Sequence, residues 1–175
     1  MYYRGTDAAG LPRWSGPPHD VVPGATPAGA VLGQGPGAVV ALHPLGCFPT
    51  GVSLTLTVMS PDAERDLGVL VTGWDHPRHH PVPGALRLAL HLADGPVLTA
   101  GDLHDGDQAH ALSPRRSQAT DTWAEVTFWL APLPTAGPLR VVCSWPEREV
   151  AESVTTLDVD EIRAAAGRAV RLPSS

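Results

Sequence analysis

The stretch Asp121–Trp145, DTWAEVTFWL then APLPTAGP then LRVVCSW, holds three of the five tryptophans and one of the two phenylalanines. Both of its arms alternate. Ala124, Val126, Phe128 and Leu130 share one face of the first arm; Trp123, Glu125, Thr127 and Trp129 share the other. In the second arm Leu139, Val141, Cys143 and Trp145 form the apolar face, opposite Arg140, Val142 and Ser144. A period of two marks a strand, because successive side chains leave opposite faces of the pleat. The Pro/Gly segment Ala131–Pro138 between the arms suits neither strand interior. Folding the arms together predicts an antiparallel hairpin pairing Leu130 with Leu139, Phe128 with Val141, Val126 with Cys143 and Ala124 with Trp145. A slip of one residue would break every match. The same register predicts Trp129 opposite Arg140, a cation–π contact of about 0.5–1 kcal/mol if exposed.

The predicted outer face carries Trp123 and Trp129, on the side expected to be wet. A neighbouring segment such as the proline-rich N-terminus covers them, or a subunit does, or they form a ligand platform. About 20 Å of strand separates the two rings, too far for one small ligand to bridge. Trp123, Trp129 and Arg140 are the candidate binding surface.

Eighteen glycines and 19 prolines in 175 residues favour many turns over long helices. Alternating or apolar runs at 28–32, 37–45, 51–59, 67–72, 85–93, 97–99, 109–112 and 150–156 read as further strands. Of these, Gly51–Met59 is the cleanest, with Val52, Leu54, Leu56 and Val58 inward. Asp94-Gly95 between two apolar runs signals a hairpin, and Pro96 limits its second arm to an edge or a bulge. The remainder of 101–120 reads as surface loop, including the adjacent pair Arg115–Arg116. One helix is expected over 159–171. Asp158 is its N-cap, Glu161 completes a capping box, and Leu157 and Ile162 make a hydrophobic staple. Ile162, Ala165, Ala166 and Ala169 form its buried stripe, and Arg168 and Arg171 stand at its negative end. The expected fold is an all-β antiparallel β-sandwich of about eight or nine short strands with this C-terminal α-helix. Residues 1–27 form a Pro/Gly-rich N-terminal arm, and residues 28–175 a single domain.

Charge narrows the function classes. The net charge of −6 argues against a nucleic-acid partner. All twelve basic residues are arginine, there is no asparagine, and Ile162 is the single isoleucine. The missing types have A/T-rich codons, so the arginine surface reflects a high-GC gene before it reflects function. No apolar run approaches the roughly 20 residues of a transmembrane helix, and the N-terminus lacks a signal-type segment. The expectation is a cytoplasmic protein with Cys47 and Cys143 as thiols.

Two loops carry residues that could hold a metal. His76, His79 and His80 stand at three- and four-residue spacing, but no helix sets their geometry and prolines flank them. Asp102, His104, Asp105 and Asp107 resemble part of a calcium loop, without the distal Glu that closes an EF-hand. If the 73–84 and 101–120 loops meet, they build one mixed His/Asp site. His43 and His91 lie on strands and read as structural. No G-x-S-x-G elbow, phosphate loop, C-x-x-C or H-E-x-x-H motif occurs.

The run WLAPLPTAGPL at 129–139, SWPE at 144–147 and Glu152-Ser153 ahead of the Ala-rich helix resemble a group of small β-sandwich proteins of high-GC actinobacteria. YYRG and LPRWSGPP near the N-terminus and PTGVSL at 49–54 fit the same group. The likeness covers most of the chain and implies a compact cytosolic domain. It carries no activity over. The leading expectation is a non-catalytic module that binds a protein or itself, with no cofactor. The alternatives are a metal-dependent enzyme or sensor using a divalent ion, and a calcium-dependent membrane-binding sandwich.

Overall fold

Alternation at Gly51–Met59 becomes the middle strand of the larger sheet, and the chain is best followed from either side of it. The computed structural model describes residues 16–64, 66–75, 80–93, 95, 97–100 and 110–173. Strands β1 (Val21–Val22) and β2 (Gly24–Ala25) lie in the Pro/Gly-rich strap. A hairpin of β3 (Ala30–Gly35) and β4 (Ala38–Leu42) precedes β5 (Gly46–Phe48) and β6 (Gly51–Met59). Next come helix α1 (Leu67–Thr72) and the short pair β7 (Trp74–Asp75) and β8 (His80–Pro81). The hairpin expected around Gly95 forms between β9 (Arg87–His91) and β10 (Val97–Thr99). Four long strands follow: β11 (Ala111–Ala119), β12 (Trp123–Ala131), β13 (Pro138–Trp145) and β14 (Val150–Asp158). Helix α2 (Val159–Gly167) and β15 (Val170–Arg171) close the described chain.

Two antiparallel sheets carry the architecture. In the larger, β11, β12, β6, β4 and β3 lie in that order, with β5 on β6 and β2 on β5. The smaller runs β10, β9, β13, β14. A single core draws on both: Val52, Leu54, Leu56, Val126 and Phe128 from the first, Leu88, Leu90, Leu139, Val141 and Trp145 from the second. Each such Val or Leu contributes roughly 1.5–3 kcal/mol by leaving water. At one edge the sheets touch through backbone. Gly37 N–H donates to the Arg148 carbonyl at 3.1 Å, and Ser153 Oγ donates to the Leu32 carbonyl.

The predicted hairpin of residues 121–145 does not form. Its arms are strands with the expected inward residues, but β12 pairs with β11 and β6, whereas β13 pairs with β9 and β14. The connection arches from one sheet to the other. Alternation identifies the face that meets the core, and an in-plane hairpin and an arch satisfy it equally. The Trp129–Arg140 contact falls with the hairpin. Trp129 stands opposite Ser53 and Ser113, and Arg140 opposite His91 and Thr156.

Two further segments differ. Residues 67–72, expected as a strand, are a helix whose Leu67 and Val71 enter the core four residues apart. Gly73 ends it in the left-handed region at φ 75°, returning its N–H to the Val69 carbonyl at 2.9 Å. Most of 111–119, expected as loop, is an edge strand. Its pairing with β12 is set by backbone, and its side chains from Arg115 onward are exposed, so apolar alternation is absent. Pro114 and a bulge at Arg115 interrupt its ladder, features that discourage a second chain from adding there. The C-terminal helix is shorter than 159–171. Asp158 caps it, accepting from Asp160 N–H at 2.8 Å. It ends at Gly167, because Val170–Arg171 turns away to pair with Val21–Val22.

Candidate binding groove on the smaller sheet

Each sheet has an outer face, and the two differ in what covers them. On the larger sheet Trp129 is 1 % exposed. It packs with Val21, Phe48, Ala131 and Ala169, the Phe48 ring lying edge-on with centroids 5.5 Å apart. Val21 comes from the strap, Phe48 from β5 and Ala169 from the turn after α2. Among the described residues the buried Trp129 Nε1 has no hydrogen-bond partner. Trp123 is half-buried opposite Met59, and Arg140 is exposed on the other sheet. The three residues expected to form one surface are thus divided between the two sheets.

The outer face of the smaller sheet is laid out by its registers. Ala89, Val142 and Val154 stand side by side, with Val97, His91, Arg140 and Thr156 in the next row toward one end. Toward the other end Ser144 faces Arg87. Val97 and Val154 are 51 % and 57 % exposed. At the Arg87 end the face deepens into a groove of about 650 Å³, floored by Ala89, Val142 and Ser144 and rimmed by Arg87, Glu147 and Glu152.

The wall of the groove is the segment Val82–Leu86, which is held from both sides. Val82 N–H donates to the Gly73 carbonyl at 3.1 Å, and Leu86 N–H to the Leu70 carbonyl at 2.9 Å. From the core, Trp145 Nε1 donates to the Gly84 carbonyl at 2.8 Å. Trp145 is itself braced. The Arg148 guanidinium lies 5.6 Å from its ring centroid and pairs with Glu64 at 2.6 Å. A cation–π contact therefore exists here, between Trp145 and Arg148. Sequence reasoning placed Arg87, Ala89 and His91 on the outward side of their strand correctly, but missed the groove. Its floor needs β9 beside β13, and no local pattern announces that neighbour. Glu147 and Glu152, in and after the turn that follows β13, carried no motif.

The metal candidates cannot be placed. His76, His79, Asp102, His104, Asp105 and Asp107 lie outside the described residues, as do 76–79 and 101–109 of the two loops that were to meet. His80 is described by its backbone pairing with Asp75. Among the described residues no group of three or more His, Cys, Asp or Glu could hold a metal ion. His43 Nε2 lies 2.6 Å from Thr57 Oγ1, a cross-strand partner on the larger sheet. A second cavity of about 360 Å³ lies between α1 and β11, lined by Asp66, Thr72, Arg115 and Ser117. Although Arg115 is largely exposed, partial desolvation against this cavity lowers its pKa. Among the described residues no helix is long and apolar enough to cross a membrane.

No protein-family model, no curated protein and no solved structure matches this chain.

Proposed function

We propose that this chain is a non-catalytic β-sandwich that works in the cytoplasm by binding a polypeptide, and that the outer face of the smaller sheet is the contact surface. The observation that carries the reading is the groove with its braced wall. Ligand sites are concave, largely apolar and pre-formed, and its volume falls within their usual range of about 300–1,000 Å³. The exposed Val97 and Val154 beside it extend an apolar surface over the strands. Trp129 is instead covered within its own chain, by Val21, Phe48 and Ala169. A reducing location is supported by Cys47 and Cys143, which stay unpaired thiols.

The test is an amide NMR titration with pools of random-sequence octapeptides. Shifts centred on Ala89, Thr99, Val142 and Ser144 are expected. Shifts centred on Trp123 and Thr57 instead, or none at millimolar peptide, would end the proposal. Concentration-dependent shifts of the same four residues without peptide would make the partner a second copy. Elemental analysis of the purified protein decides the metal alternative. Stoichiometric zinc, iron or manganese that disappears on His79→Ala/His80→Ala would replace the binding reading.

A further inference from the structure

We infer that Arg148 is a positioning residue for the groove: through Trp145 it ties the wall Val82–Leu86 to the larger sheet, so the two sheets set the groove's opening together. The inference rests on the partner-surface reading above and adds a means of controlling it. The grip on the wall centres on Gly84, which sits in the left-handed region at φ 73°. Its carbonyl accepts from Trp145 Nε1 at 2.8 Å. On its α-carbon side the Glu147 Cγ stands 3.4 Å from where a Cβ would be. Trp145 ends β13, and Glu147 belongs to the 3-10 turn Pro146–Arg148 that follows at once. One short stretch therefore holds Gly84 through two contacts. A hydrogen bond weakens steeply as its angle closes, so the grip depends on the tilt of the indole. Arg148 fixes that tilt, with its guanidinium 5.6 Å from the ring centroid. Its side chain is 14 % exposed, so water dilutes the contact little.

Arg148 is itself held by the other sheet. Nη2 donates to the Glu64 carboxylate at 2.6 Å, and Nη1 to Ser60 Oγ at 3.3 Å. Its main-chain carbonyl accepts from Gly37 N–H, between β3 and β4. Ser60 and Glu64 follow β6 and are pinned to the turn between β11 and β12. Ser60 N–H donates to the Thr122 carbonyl at 2.9 Å, and Glu64 N–H to the Asp121 carbonyl at 2.7 Å. A chain of contacts thus runs from that turn through Glu64, Arg148 and Trp145 to Gly84. Arginine suits the middle place, because its flat fork meets a carboxylate with its edge and a ring with its face. The coupling is reciprocal: what loosens the Glu64–Arg148 pair loosens the wall, and a ligand that shifts the wall shifts the pair.

The experiment is amide hydrogen exchange by NMR on the whole protein, as wild type, Arg148→Gln, Arg148→Lys and Glu64→Gln. The Val82 and Leu86 amides, which close the wall onto the Gly73 and Leu70 carbonyls, report the brace. In Arg148→Gln they should exchange about three- to tenfold faster relative to Leu90 and Val141 in the same sheet. The Trp145 indole proton should move upfield as its bond to Gly84 lengthens. Glu64→Gln, which keeps Arg148 and removes its anchor, should give the same pattern at smaller amplitude. Arg148→Lys should fall between wild type and Arg148→Gln. Acceleration shared equally by Leu90 and Val141 would make Arg148 a stabilising residue only and overturn the inference. Unchanged Val82 and Leu86 amides in both Arg148→Gln and Glu64→Gln would overturn it as well. No peptide enters this measurement. Octapeptide pools that leave the face unshifted would end the partner surface while the brace stands.

Discussion

Cys47 and Cys143 are both fully buried, and burial pushes each thiol from 9.0 up to about 11. For Cys47 the nearby Arg168 lowers the value and Glu161 raises it, both less than burial does. The folded state prefers the protonated thiol, so this contribution is complete below pH 9 and is lost as pH rises toward 11. Urea midpoints should fall between about pH 9 and about pH 11, and less steeply in Cys143→Ala. At neutral pH neither thiol should react with an aromatic disulfide reagent until the chain unfolds; rapid labelling of native protein would contradict their burial. Trp129 offers a second residue-level test. Trp129→Ala should cost about 3–5 kcal/mol by emptying its cluster. Trp129→Phe should cost at least about 1 kcal/mol less, because it also removes a buried N–H without an acceptor. Denaturant unfolding of the two variants checks the order. Cys143 was legible from alternation alone; the burial of Trp129 was not, because its cover comes from residues far away in sequence.

Among elements, the strap is the most exposed to a single change. A Cβ on Gly24 would overlap the Ala165 carbonyl on α2, and Arg168 Nη2 donates to the Ala25 carbonyl at 2.9 Å. Gly24→Ala should therefore lift the strap and uncover Trp129 while both sheets persist. Limited proteolysis within residues 16–27 and a red-shifted tryptophan emission would report it, and an unaltered digestion pattern would count against the packing. Element types were read well where alternation is long, as at β6, whose ends at Gly51 and Met59 match the expectation. Reading failed where the run is short or the strand lies at an edge. Leu67–Thr72 is rich in residues that favour strands, yet Asp66 before it and Gly73 after it were available as helix boundaries. Ala111–Ala119 is a strand because β12 offers it a backbone edge, a reason invisible in its own residues.

The two sheets form one molecule through the seam at Gly35 and Gly37. A Cβ on Gly35 would overlap the Glu149 carbonyl, and one on Gly37 would stand 2.8 Å from the Arg148 carbonyl. Gly35→Ala should destabilise the whole fold by about 1–3 kcal/mol through forced separation, read as a single cooperative shift in thermal unfolding. A local change confined to the β3–β4 turn would argue against the seam. The groove belongs to this scale too. It exists because β9 and β13 are neighbours, because Trp145 reaches Gly84 from the core, and because Glu147 and Glu152 return to the same end of the sheet. From its residues alone the chain specified an all-β composition, the inward side of its long strands, the Asp158 cap and the core position of Cys143. These follow from periodicity and local hydrogen bonding, which act over a few residues. Which strands share a sheet, which tryptophan is covered and where a groove opens depend on contacts between segments distant in the chain. Alternation is the same on either sheet, so nothing short of the folded arrangement could choose between them.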